Sequence, residues 1–197
     1  LQKGFNLNFS ELKYFTGQSN CFYTYITRGS ALEFREKLCR IFSPHIPRYT
    51  PKKNQGLPHL GYLVTRGHEG IFLRWFSKRF NNFPSGRFKF TIFADQIGLD
   101  SKIIPRIDHP DFSFKPIPMN IQSAAEIVHQ EACDVLHFWE NGTDLLNFIL
   151  PFFRLAPIQM TSGWPLTSGN PEVDYYVFGQ SEFVESGLAE NRFSEKP

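Results

Sequence analysis

Three short apolar runs constrain this chain more than anything else in it: HLGYLVT at 59–65, RFKFTIFA at 87–94 and CDVLHF at 133–138. Each has the length and the Val, Ile, Phe and Tyr content of a buried strand rather than a helix. Stretches with helical spacing lie between them. A strand that is apolar on both faces has to be covered on both faces, and strands alternating with helices satisfy that as a parallel sheet. The expected architecture is therefore α/β: a Rossmann-like, mostly parallel sheet with helices on both faces. Two further strands, at 157–161 and 173–178, extend it.

The helical segments are read from their apolar stripes. Ala31, Phe34, Leu38, Ile41 and Phe42 share one face of a helix over about 30–43. Ser30 and Glu33 suit a capping box at its start. Ser43, Pro44 and Pro47 end it, because proline cannot continue a helix. Phe72, Trp75, Phe76, Arg79 and Phe80 place a second helix over 71–83, and a third covers 121–131. Residues 144–153 suit a short helix. Residues 95–120, with Pro105, Pro110, Pro116 and Pro118, read as loop. No element is assigned over 1–29, although Phe5, Leu7 and Phe9 alternate and aromatics recur from Tyr14 to Tyr25. The expected organisation is an N-terminal extension with a Pro-rich linker (1–58), a Rossmann-like domain (59–180) and the start of a connection to a second domain (181–197).

Composition narrows the function classes. With 41% hydrophobic residues and 22 phenylalanines among 197, there is ample material for a core and little case for disorder. The net charge of +2 is too slight to imply nucleic acid, and no stretch interleaves Lys and Arg with aromatics as a binding face would. Cys21, Cys39 and Cys133 form no C-x-x-C pair, so neither zinc nor redox chemistry is indicated; free thiols in a reducing, cytoplasmic setting are expected. The longest apolar run, Phe148 to Phe153, is far too short for a membrane span. There is no signal peptide and no initiating Met, and the chain starts as if cut from something longer. The sequon Asn141-Gly142-Thr143 is read as chance.

In an open parallel sheet, ligands bind beyond the carboxyl ends of the strands. After the first strand come Arg66, Gly67, His68, Glu69 and Gly70. At the end of the 133–138 strand come His137, Trp139, Glu140, Asn141 and Gly142. After the 157–161 strand comes Ser162 to Gly169. His68 has two readings: an idle cap of the following helix, or an imidazole that serves a hydroxyl as base or hydrogen-bond partner. Gly67 and Gly70 suit a backbone that approaches a ligand. His137 is either a partly buried, satisfied histidine or a second group of the site. Glu69 and Glu140 could pair, but solvated or helix-starting roles suit each. Thr167, Ser168 and Gly169 could hold an anion on their N–H groups or simply form a polar turn. No G-x-G-x-x-G follows the first strand, so a dinucleotide site is not supported, and D-x-D, G-x-S-x-G, H-E-x-x-H and Walker motifs are absent.

The stretch FFRLAPIQMTSGWPLTSGNPEVDYYV, 152–177, is specific. It resembles the central signature of the O-linked N-acetylglucosamine transferases and their SPINDLY-type relatives, through Ala156-Pro157-Ile158-Gln159, Gly163-Trp164-Pro165-Leu166-Thr167-Ser168-Gly169 and Asp174-Tyr175. CDVLHFWENGTD, 133–144, resembles the family's preceding histidine strand, and LGYLVTRGHEGIFLRW, 60–75, its first strand and histidine loop. The order of the three segments is the family's, over 59–178. The wording is similar to bacterial members, often found beside tetratricopeptide repeats. Leu166 departs from the glycine of the animal enzymes.

The resemblance implies the N-terminal half of a GT-B glycosyltransferase, inverting and metal-independent, with no cofactor beyond its nucleotide-sugar donor. That donor would be UDP-N-acetylglucosamine and the acceptor a Ser or Thr hydroxyl of a protein. It implies catalytic roles for His68 and His137 and substrate-binding roles for Gly67, Thr167, Ser168 and Gly169. It also implies a second Rossmann-like domain that holds most donor contacts and a lysine at the leaving phosphate; without it, the chain alone should be inactive. Neither nucleic acid nor a membrane is expected as a partner. Two other classes remain open: a non-catalytic peptide- or protein-binding module, and a GT-B enzyme with a lipid or small-molecule acceptor.

Overall fold

A computed structural model describes residues 31–141, 143–162, 167–177 and 194–196. The expectations for 1–29, the Ser30 cap, Gly163 to Leu166 and most of the 181–197 connection lie outside the described residues, as does Cys21.

Six parallel strands form one sheet in the order β3-β2-β1-β4-β5-β6. They are β1 (His59–Leu63), β2 (Lys89–Ala94), β3 (Phe112–Pro116), β4 (Val135–Trp139), β5 (Ile158–Ser162) and β6 (Tyr175–Val177). The strand order runs outward from β1 to β3, then crosses back and runs outward again from β4 to β6. That is the doubly wound arrangement, and its switch point lies between β1 and β4.

Alternation along the strands sends side chains to two core layers. Leu63, Phe93, Leu136 and Phe138 face one layer, where Ile121, Ala124, Ala125 and Val128 of α3 (Ile121–Gln130) pack. Phe90, Ile92, Ala94 and Trp139 face the other, against Phe72, Leu73 and Phe80 of α2 (Glu69–Asn81). Ile92 on one face and Phe93 on the other are both at 0% exposure, so the sheet is covered on both sides as its strand composition requires. Asn120 caps α3, its side chain accepting from Ser123 N, and Asp144 does the same for Asn147 N at α4 (Leu145–Ile149).

Three expectations need correction. The 95–120 stretch is not all loop. It contains a compact helical path (Gln96–Gly98, Leu99–Ile103, Ile104–Arg106) and the edge strand β3. The helix over 144–153 is only α4, followed by a single 3-10 turn, Leu150–Phe153, because Pro151 has no N–H to continue the α pattern. In α1 (Ala31–Phe42) the expected apolar stripe does not all face inward: Arg35 and Cys39 are buried, while Phe34 and Ile41 stay about half exposed. The helix is turned toward a close backbone approach, since a Cβ on Gly169 would lie 2.6 Å from Arg35 Cβ and 2.8 Å from its carbonyl carbon.

Candidate functional site at the sheet switch point

Two loops meet where the strand order reverses. β1 ends at Leu63, and the chain turns through Arg66, Gly67 and His68 into α2. β4 ends at Trp139, and the next residue is Glu140. The loops are joined at their base: Thr65 Oγ1 donates to Trp139 O at 2.9 Å, Asn147 Nδ2 donates to Thr65 Oγ1 at 2.7 Å, and the same amide reaches Trp139 O. Thr65 and Asn147 are fully buried, so these bonds are shielded from competing water.

Carboxylates pin the histidine loop from several sides. Glu69 Oε1 accepts from Gly67 N at 2.8 Å, and Glu69 Oε2 pairs with Lys102 Nζ at 2.7 Å. Asp144 accepts from Arg66 N as well as from Asn147 N. Gly67 sits at φ +83, a left-handed conformation that glycine adopts at little cost. The Glu69 carboxyl is held below its ordinary range: burial works against the charge, but Lys102 and the Gly67 N–H outweigh it. Asp144 is pushed up by burial, against the opposing pull of the N–H donors and of His68. Glu69 is therefore neither solvated nor paired with Glu140; it is a buried brace of the loop.

His68 occupies the cap position of α2, but its side chain makes no cap bond. Its ring turns away from the helix, and Nδ1 meets Glu140 Oε2. Among the described residues no protein group bonds Nε2. The side chains are 37% and 13% exposed, so the pair lies at the open edge with the carboxylate more enclosed than the ring.

His137 is placed differently. It lies in the middle of β4, 5% exposed, with Nε2 against Ser162 Oγ at 2.6 Å. Tyr62, Phe76 and Trp139 surround its ring at centroid distances of 5.4, 6.0 and 6.4 Å. Burial lowers its pKa to about 4, so it is a neutral imidazole at physiological pH. It shares the sheet with the His68 loop, but it lies within the core layer below the open edge.

Thr167, Ser168 and Gly169 lie against α1, and among the described residues no hydrogen bond joins them to His68 or His137. Thr167 and Ser168 are buried, and their donors are engaged: Glu195 accepts from Thr167 Oγ1 at 2.7 Å and from Ser168 N at 2.6 Å. The turn does bind an anion, and that anion is the chain's own carboxylate. Nothing in the sequence pattern reveals this pairing, because the partners are 27 and 28 positions apart. Among the described residues no three His, Cys, Asp or Glu side chains gather as a metal site, and no helix is long and apolar enough to cross a membrane.

No family model matches the chain. A search of curated proteins by sequence finds no match either. Solved structures do match. The structure of a mutant O-GlcNAc transferase from Thermobaculum terrenum superposes with a TM-score of 0.62 and 16% sequence identity over 84% of this chain. The matched part is 32% of that protein, so the chain spans about a third of its length. The likeness carried by the motifs over 59–178 is thus met by a likeness in three dimensions, and what it shows is the fold: a doubly wound, Rossmann-like α/β layer of the kind found within a glycosyltransferase.

Proposed function

We propose that this chain is the N-terminal Rossmann-like half of an inverting, metal-independent protein O-glycosyltransferase. The observation that carries the reading is His68. Its ring stands at the carboxyl edge of the sheet, beside the switch point, with one nitrogen engaged by Glu140 and the other unengaged among the described residues. The sugar transferred is N-acetylglucosamine from its UDP donor, and the acceptor is a Ser or Thr hydroxyl of a protein.

The reaction is one displacement at the anomeric carbon. The acceptor oxygen forms the new bond to that carbon as the bond to the leaving diphosphate breaks, and the bonding pair departs on the diphosphate oxygen. The acceptor proton moves to His68 Nε2. His137, neutral and fixed by Ser162, supports the floor beneath the sugar site rather than exchanging a proton. Gly67 brings backbone close to the substrate. Thr167, Ser168 and Gly169 act by holding the neighbouring wall. Charge on the departing diphosphate needs fixed donors in a water-poor cleft, and a second domain supplies them in this reading.

The test is a panel of nucleotide sugars offered to the protein with its second domain, together with peptide, lipid and small-molecule acceptors. Mass spectrometry then reads the product. Sugar on Ser or Thr of a peptide supports the reading. Sugar only on a lipid or small molecule moves the protein to another acceptor class. Peptide binding with no transfer from any donor makes it a binding module.

A further inference from the structure

Glu140 takes part in no step described so far, yet two independent features single it out. The first is its contact with His68 Nδ1. The second is its backbone. Glu140 has φ +59, one of three non-glycine residues with positive φ among the described residues. A side chain bearing a Cβ adopts that conformation only at a steric cost, which glycine would avoid. The surroundings hold it there: Glu140 N donates to Ser162 O at 2.9 Å, and its carbonyl accepts from Thr143 N at 3.1 Å and from the Thr143 hydroxyl. The left-handed residue turns the chain sharply at the end of β4. The side chain crosses the switch point to the loop after β1, a contact between residues 72 positions apart. A strained non-glycine residue at a ligand edge points to a function for its side chain.

We propose that Glu140 is a positioning residue that holds His68 in its Nδ1–H tautomer. A carboxylate accepts hydrogen bonds and does not donate them, so it binds Nδ1 only when that nitrogen carries the proton. In the neutral ring the lone pair is then on Nε2, the nitrogen at the open edge. A free imidazole favours the opposite tautomer, so without Glu140 the outward nitrogen would mostly carry a proton and could not accept one. After transfer, the Nδ1–H stays on Glu140 while Nε2 holds the new proton, and the carboxylate stabilises the imidazolium so formed. The catalytic consequence rests on the transferase reading above. The tautomer assignment does not, because it follows from the geometry of this chain alone.

The experiment is long-range 15N–1H NMR of the neutral His68 ring in the 197-residue chain. Wild-type protein should show the Nδ1–H form. Glu140→Gly removes the carboxylate while relieving the backbone, so it should fold, and His68 should shift toward the Nε2–H form. Glu140→Gln, whose amide can donate as well as accept, should give a mixture. In the two-domain protein, Glu140→Gly should lower kcat by roughly 10–100-fold with KM nearly unchanged, as expected for a weakened general base. A wild-type Nε2–H form, or a tautomer indifferent to Glu140→Gly, overturns the proposal. A wild-type Nδ1–H form that depends on Glu140, in a protein that transfers no sugar, upholds the positioning role and sinks the transferase reading.

Discussion

Glu69→Ala strips the brace from the histidine loop, and its cost can be worked from the contacts. Gly67 N loses a charged acceptor at 2.8 Å; the bond is part-buried, with the Glu69 carboxylate enclosed and Gly67 itself exposed. A hydrogen bond of that kind is worth about 1.5–3 kcal/mol. Lys102 loses its partner too, but its side chain is 48% exposed, so that pair adds only about 0.5–1 kcal/mol after solvent screening. Relief of the desolvated carboxylate offsets part of this, leaving a net loss of about 2–3 kcal/mol. In a chain of this size that lowers Tm by roughly 4–12 °C. Glu69→Gln keeps an acceptor for Gly67 N and should lose only about 1 kcal/mol. Differential scanning calorimetry of wild type, both variants, Lys102→Met and the Glu69→Gln/Lys102→Met double variant gives the order and the coupling. The brace argument is refuted if Glu69→Ala melts with wild type, or if the Glu69–Lys102 coupling is indistinguishable from zero.

Other outcomes follow from the same structure. Gly61→Ala in β1 would place a Cβ 2.8 Å from Cys133 Sγ and Leu136 Cδ1 and 3.0 Å from Phe93 Cε2, so urea denaturation should show a loss of about 1–3 kcal/mol from overpacking. His137 is neutral when folded, because burial lowers its pKa to about 4 from the ordinary 6.5 of histidine. Below pH about 6.5 the unfolded chain binds a proton that the folded chain does not, so stability should fall on acidification toward pH 4 by about 3 kcal/mol from this group. Urea midpoints of His137→Phe against pH should show a shallower decline; an unchanged slope would contradict the burial argument. Burial pushes the Cys133 thiol up to about 12, so mass spectrometry should find it unmodified by iodoacetamide at pH 8 until the chain unfolds, whereas fast labelling of folded protein would mean that the strand is open.

The sheet was legible because its central strands are apolar on both faces, and that composition has few other uses. β3 was not legible, for the complementary reason. Its FSFKP sequence is an edge strand of partly exposed residues ending in Pro116, where half-covered positions and proline imitate a loop. The inward face of α1 was misread because close approach of the Gly169 backbone, and not hydrophobicity, sets which side turns in. At the site, the position of His68 after β1 followed from topology alone. Its partner did not, since Glu140, Glu69 and Lys102 take their roles from contacts between distant parts of the chain. A glutamate at a helix start looks the same in sequence whether it faces water or turns back onto a loop N–H. His137 was placed on the right strand, but the aromatic ring wall that buries it comes from Tyr62 on β1 and Phe76 on α2 as well as its own neighbour Trp139.

The central claim is that the open edge at His68 is where sugar transfer occurs. The direct measurement is initial-rate transfer of labelled N-acetylglucosamine from its UDP donor to a protein acceptor, comparing the two-domain protein with its His68→Ala variant at matched folding by circular dichroism. The account predicts a fall in kcat of about 100-fold or more, the usual loss on removing a general base. Equal rates for the two proteins would contradict it.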